Sequence, residues 1–552
     1  MREISNRLSK VLITSNVFKS LLLGVTITVA IQSSSALTVM LVGLVNSGIM
    51  DLSGTIGVIM GSNIGTTVTA WILSLTGIES NNLFLRLLKP DSFAPVFAFI
   101  GIIMIMCSKN AKKNDIGIIL IGFSVLLFGM EIMSDAVSPL ADMPEFSRLL
   151  TAFKNPILGV IVGAVFTAVI QSSSASVGIL QALSLTGSIS YAMAIPIIIG
   201  QNIGTCVTAL ISSIGVRKSA KRVSAVHLSF NIIGTVVSLI LYYSLNAFIK
   251  FNFLNDSISP VGVAFVHSLF NIFTALILLP FAKQLEKLAC FLVKDDVKEE
   301  KAELLDERLL TSSAVAIARC KELTDEMARI AARSFVKAMK LIENYDEQIV
   351  EEINKDEAVT DMYEDKLGSY LVKISRNSLS VEDSHRSSNL LHTIGDFERI
   401  GDHASDMVKV AKEIHHKGIV FSDDAKREFE TISLALTEIL DLTINAFVNE
   451  DLEVAKKIEP LEQVVDKLKY KLKNMHISRL QQGECTIETG FVFSDLLTNY
   501  ARVADHCSNI AVCLIQVADD SFDTHEYLNN MKSHGDDKFN EMYRDFKKKY
   551  NV

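Results

Sequence analysis

From Pro156 to Gly215 the chain contains no Asp, Glu, Lys or Arg. An element at the surface of a water-soluble fold needs a polar face, so an uncharged stretch this long has to lie in an apolar medium. Apolar runs lie near Val17–Val45, Gly54–Ile78, Phe93–Cys107, Ile116–Met133, Pro156–Gly187, Ala192–Gly215, Val223–Ile249 and Pro260–Phe281. They are long enough to enter a bilayer core roughly 30 Å thick. The first residues carry Arg2, Arg7, Lys10 and Lys19 but no small-residue cleavage site. The apolar run beyond them continues too far for a removable signal peptide.

Hydropathy changes sharply near residue 290 of the 552. Through Leu292 there are 18 Lys+Arg against 11 Asp+Glu; the remainder has 35 against 51. The expected plan is a transmembrane part over 1–290, a linker over 291–304, a helical domain over 305–520 and a charged tail over 521–552. Neither half is basic enough for nucleic acid. Cys107, Cys206, Cys290, Cys320, Cys485, Cys507 and Cys513 form no C-x-x-C pair and read as reduced thiols.

Basic clusters set the orientation. They are Lys109/Lys112/Lys113, Arg217/Lys218/Lys221/Arg222 and Lys283/Lys287. Cytoplasmic loops are enriched in Lys and Arg, so all three are expected inside, and the charged half with them.

The membrane half repeats itself at an offset of 139 residues. Gly24 matches Gly163, Gln32–Ala36 matches Gln171–Ala175, Gly48 matches Gly187, and Gly61 matches Gly200. Asn63-Ile64-Gly65-Thr66 matches Asn202-Ile203-Gly204-Thr205, and Thr69-Ala70 matches Thr208-Ala209. Copy 1 (about 17–78) starts after a basic segment and ends near Glu79-Ser80-Asn81, which is not basic. Copy 2 (about 156–217) starts after Asp135, Asp142 and Glu145 and ends at Arg217–Arg222. The copies are therefore expected to be inverted, with a substrate site between them near the bilayer midplane.

A run of Gln-Ser-Ser-Ser in lipid costs a few kcal/mol for each unpaired polar group. Non-helical backbone at that depth survives only where protein or water surrounds it. A re-entrant hairpin with the motif near its tip meets both conditions. The broken helix offers N–H groups and a positive dipole end to an anion. Its hydroxyls, carbonyls and amide oxygens suit a hard monovalent cation. Asn-Ile-Gly-Thr is expected to do the same at a second break. Apart from Lys19, no Lys or Arg stands near either motif. A bound dianion would then need co-bound cations, which points to sodium coupling.

Bland readings compete at each position. Small residues line ordinary helix contacts. That would explain one S-S-S, but not two copies each followed 31 residues after the Gln by N-I-G-T. Asp51, Glu131 and Asp135 read as helix-end, interfacial residues. His227 and His267 read as packing residues.

The doubled Q-S-S-S with paired N-I-G-T resembles the type II sodium-dependent phosphate cotransporter family over about residues 17–280. The resemblance implies that Gln32, Ser33, Ser34 and Ser35, with Gln171, Ser172, Ser173 and Ser174, line the site for phosphate and sodium. It also implies that Asn63, Thr66, Asn202 and Thr205 support the hairpins or coordinate ions. The family's usual pattern has a helix before each copy. Ile116–Met133 precedes copy 2, while its copy 1 counterpart would fall before Met1.

From about residue 303 the pattern is helical, with Pro460 the single proline. Long amphipathic helices in a bundle are expected. Arg399-Ile400-Gly401-Asp402-His403 resembles Arg502-Val503-Ala504-Asp505-His506, and Glu357/Asp361 resembles Glu462/Asp466, which suggests two three-helix units. This part resembles PhoU-like domains, where E-x-x-x-D pairs can hold a multinuclear metal cluster. The resemblance implies Glu357, Asp361, Glu398, Asp402, Glu462, Asp466 and Asp505 as ligands, and such carboxylates suit Fe, Mn or Ni. In the second unit Ala501 and Asn499 stand where the first has Glu398 and Asp396. The competing reading is a solvated acidic face. His415-His416 reads as an exposed loop pair.

The expected fold class is all-α: a polytopic membrane protein with two inverted repeats containing re-entrant hairpins, plus a cytoplasmic PhoU-like bundle. The expected function is sodium-coupled import of inorganic phosphate across the inner membrane, with the bundle regulating it. The alternative is a non-transporting, membrane-anchored phosphate-signalling regulator. Expected partners are phosphate, sodium and the bilayer; a homodimer and phosphate-signalling proteins are candidates. No P-loop, nucleophile elbow or zinc-protease string occurs, so an enzyme is not expected.

Overall fold

The computed structural model describes residues 16–75, 90–108, 111–137, 139, 155–294, 304–377, 379–519 and 537–551. Several residues that guided the orientation argument (Arg2, Arg7, Lys10, Glu79–Asn81, Lys109, Asp142 and Glu145) lie outside them, as does most of the linker and tail. The chain divides into two units, Met1–Thr311 and Ser312–Val552. Among the described residues both are helical, and one isolated bridge, Ser190 to Ser257, is the extent of β-pairing.

The first unit contains α1 (Val17–Ile31), α2 (Ser34–Asn46), α3 (Leu52–Ser74), α4 (Pro90–Cys107) and α5 (Ala111–Val137). It continues with α6 (Pro156–Ile170), α7 (Ser173–Ser184), α8 (Tyr191–Gly204), α9 (Cys206–Ser212), α10 (Lys218–Ile249), α11 (Pro260–Leu278) and α12 (Ala282–Leu292). The runs read as single from Val17 and from Pro156 are thus each divided in two. Among the described residues of this unit, five stretches are long and apolar enough to cross a membrane: Leu52–Ser74, Lys113–Met133, Tyr191–Ser212, Lys218–Ile249 and Pro260–Leu292. Its outer surface is apolar too. Ile157, Val169, Phe248 and Met106 are 70%, 78%, 87% and 80% exposed, which only lipid tolerates over so large an area. This is a membrane protein.

The 139-residue repeat is visible in packing. Asn16 and Asn155 cap α1 and α6 through their side-chain oxygens. α1 packs along α3, and α6 along α8. A Cβ on Gly24 or Gly61 would overlap the carbonyl oxygen of Val58 or Leu21; on Gly163 or Gly200, that of Ile197 or Val160. The duplicated glycines are therefore the points where two helix backbones touch. Gly48 and Gly187, both at φ 72°, turn the chain out of α2 and α7.

The second unit contains α13 (Ser313–Glu343), α14 (Glu347–Ile374) and α15 (Val381–Lys417), then α16 (Asp423–Asn449), the short α17 (Leu452–Ala455), α18 (Ile458–Gln481), α19 (Ile487–Asp519) and α20 (Asp537–Lys549). Two sets of three long helices result, and α15 packs on α19 between them. α16 is also apolar enough to span a membrane by composition. It buries Ile432, Leu436, Ile439, Leu440 and Phe447 on one face in the bundle. α20 lies in the stretch read as tail and packs on α18.

Two expectations are corrected here. Asn63–Thr66 is not at a helix break: α3 runs through it unbroken. Its counterpart has only a local interruption at Thr205, whose φ −62° and ψ −22° stay helical. In both copies the Thr hydroxyl returns to its own helix, Thr66 to the Ser62 carbonyl (2.9 Å) and Thr205 to the Asn202 carbonyl (2.6 Å), so these polar side chains are satisfied without a break. His415 and His416 are exposed but helical, in the last turn of α15, where His415 stacks on Tyr345 with centroids 4.4 Å apart.

Candidate functional site

Each Q-S-S-S string is a helix break. Gln32 caps α1 in the left-handed region (φ 58°, ψ 24°), and its N–H donates to the Thr28 carbonyl at 2.7 Å. Ser33 is extended, and its hydroxyl accepts from the Ala36 N–H at 3.1 Å, starting α2. Copy 2 is the same device. Gln171 sits at φ 60°, ψ 18° and donates to the Thr167 carbonyl at 2.7 Å. Ser172 accepts from the Ala175 N–H at 3.2 Å, starting α7. Ser33 and Ser172 thus act as N-caps. Ser34 and Ser173 are buried, at 7% and 6% exposure, and Ser35 and Ser174 are half-buried. Two helix N-termini with a hydroxyl at each first turn can accept an oxyanion.

The copies are not identical. The Thr69 hydroxyl donates to Gln32 Oε1 at 2.6 Å, while its counterpart Thr208 donates to the Thr205 carbonyl at 2.9 Å. The copies also interlock. Gln181 of α7 donates to the Ala70 carbonyl of α3 (2.9 Å) and to the Pro260 carbonyl of α11 (3.0 Å). Asn46, at the end of α2, accepts from the Arg217 N–H at 3.0 Å.

Sequence reasoning missed two residues beside Asn63 and Asn202. Asn63 Nδ2 donates to Asn231 Oδ1 at 2.8 Å, and Asn202 Nδ2 donates to Asn271 Oδ1 at 3.3 Å. Asn231 also reaches Cys206, the residue after Thr205, with Nδ2 to Sγ 3.3 Å. The available signal was a short third repeat, Val226-His227-x-x-Phe230-Asn231 against Val266-His267-x-x-Phe270-Asn271. His227 and His267 are 2% and 1% exposed.

In the second unit, Glu357 and Asp361 of α14 meet Asp402 of α15, each offering an oxygen within 4.8 Å of the others. Burial, then Asp361 and Asp402, raises the Glu357 carboxyl above its ordinary value. Burial and Asp402 raise Asp361, and burial with Asp402 pushes Glu398 up to about 7. Lys409 and Arg399 offset this only in part, since Glu357 and Glu398 stay raised, and a cation would supply further positive charge. Glu462, Asp466 and Asp505 form no comparable group among the described residues. Asp466 pairs with Lys469 (3.7 Å) and Asp505 with Arg502 (3.8 Å). Across the α15–α19 contact, His403 Nδ1 meets Asn499 Oδ1 at 2.8 Å, and His506 Nδ1 meets Asp396 Oδ1 at 2.9 Å.

The profile of the Na+/Pi-cotransporter family matches residues 2–135 and again 125–266, and that of the PhoU domain matches 324–411 and 430–514. The YjbB protein of Salmonella typhimurium, whose name describes inorganic phosphate export, is 24% identical over 91% of both chains. The uncharacterized protein YqeW of Bacillus subtilis is 27% identical over 51% of this chain and 87% of its own. Sodium-dependent phosphate transport protein 2A of Rattus norvegicus is 29% identical over 25% of this chain and 20% of its own. The crystal structure of PhoU from Pseudomonas aeruginosa overlays on 38% of this chain and 96% of its own, at 18% identity and a TM-score of 0.32. The chain belongs to the Na+/Pi-cotransporter family, whose members are transporters and not enzymes, and it carries a PhoU domain.

Proposed function

We propose that this chain carries inorganic phosphate across the inner membrane coupled to sodium, in the inward direction, with its PhoU domain in the cytoplasm. The observation that supports this most is the pair of matching helix breaks, each with a left-handed Gln and a Ser-capped helix behind it. In this reading the copies cross the bilayer in opposite senses and the breaks are re-entrant tips. Gln32–Ser35 and Gln171–Ser174 hold phosphate, with Asn63, Thr66, Asn202 and Thr205 beside them. No Lys or Arg occurs in α2, α3, α7 or α8, so sodium supplies the positive charge. Glu357, Asp361, Glu398 and Asp402 would hold a transition metal such as Fe, Mn or Ni in the PhoU domain.

Outward transport is a second reading, favoured by the name of the full-length relative. Labelled phosphate flux in proteoliposomes, under sodium gradients of either sign, separates the two. Inward sodium should drive phosphate accumulation, and Ser34→Ala or Ser173→Ala should abolish it at normal expression. Flux indifferent to sodium would sink the coupling. No flux from folded protein would leave a membrane-anchored regulator.

A further inference from the structure

A helix carbonyl decides which way two asparagine pairs point. On α10, Asn231 Nδ2 donates to the His227 carbonyl one turn earlier, at 3.0 Å. A carbonyl only accepts, so this contact fixes the nitrogen end of the Asn231 amide. Asn231 Oδ1 is thereby turned toward Asn63, which has to present its own Nδ2. α11 repeats the arrangement. Asn271 Nδ2 donates to the His267 carbonyl at 2.8 Å, its Oδ1 faces Asn202, and Asn202 presents Nδ2.

The consequence is the same in both copies. One N–H of each Asn63 and Asn202 amide is taken up by α10 and α11, and among the described residues no donor reaches either Oδ1. Both residues are 5% exposed. Phosphate is mainly an acceptor and gains little from such oxygens. A hard cation binds oxygen ligands of this kind.

We propose that Asn231 and Asn271 are positioning residues that hold Asn63 and Asn202 oxygen-outward, and that these two asparagines are cation ligands while the Ser-capped breaks take the anion. The inference rests on the transport reading above and divides its site into a cation side and an anion side.

The test is phosphate flux by the full-length protein in proteoliposomes, titrated separately with sodium and with phosphate. Asn231→Ala and Asn271→Ala should each raise the sodium concentration for half-maximal flux about tenfold, the worth of one neutral hydrogen bond. Half-saturation by phosphate at saturating sodium should stay within about twofold. Asn231→Asp, which keeps an acceptor for Asn63 Nδ2, should restore sodium affinity. In an Asn63→Ala background, Asn231→Ala should add nothing, because it acts through Asn63. An additive double mutant, or a phosphate shift with sodium affinity intact, would overturn the proposal. If Asn231→Ala does not fold, Asn271→Ala and Asn231→Asp carry the same comparison. Asn63→Ala with unchanged sodium dependence would overturn the site reading itself. A shift in Asn63→Ala but none in Asn231→Ala would overturn the positioning role alone.

Discussion

Gln32 and Gln171, 139 residues apart in the chain, hold the same left-handed backbone conformation, at φ 58° and φ 60°. Among the described residues only Lys250 and Glu450 share that region without being glycine. For an L-residue it costs about 1–2 kcal/mol. Glycine would adopt it freely, yet glutamine stands there twice. Strain retained in both copies points to a role for the side chain.

That relationship yields the first prediction. Gln32→Gly and Gln171→Gly should keep or raise the melting temperature in detergent, because the strained φ is relieved. Phosphate flux should nevertheless fall by at least about tenfold, the worth of one lost contact of about 1.4 kcal/mol. Normal flux in both variants would show that the conformation matters and the amide does not.

The glycine contacts are testable separately. Gly61→Ala and Gly200→Ala place a methyl group against the carbonyl oxygens of Leu21 and Val160, which are backbone and cannot rotate away. Each should destabilise the membrane unit by about 1–3 kcal/mol, the usual cost of overpacking. Gly122→Ala on α5 meets nothing within 4 Å and should not destabilise. Equal melting temperatures across the three variants would refute the close approach.

The carboxylate cluster predicts opposite effects with and without metal. In EDTA, Asp402→Asn should stabilise the PhoU domain, since Glu357, Asp361 and Glu398 lose a repelling neighbour. With added Mn2+ or Ni2+, the wild-type melting transition should rise, and Asp402→Asn should lose that rise. Asp505→Asn should behave as wild type, because Asp505 already pairs with Arg502. A metal-dependent shift that survives Asp402→Asn would remove the cluster as its site.

Membrane embedding, the helical class, the doubled Q-S-S-S and N-I-G-T strings and the paired three-helix units were all legible in residue order. Their causes are local or periodic: absence of charge, 3.6-residue spacing and direct recurrence. The glycine matches were legible as matches, although nothing in the string said that each marks a backbone contact. Tertiary structure decided the rest. Helix α3 runs unbroken through Asn63 although α1 breaks at Gln32, and the Thr66 and Thr67 hydroxyls find their acceptors on that same helix. Which end of the Asn63 amide faces outward depends on Asn231, 168 residues later, and on the His227 carbonyl beneath it. Polarity of an amide is set by its partners in space, and a sequence names the amide without naming the partner.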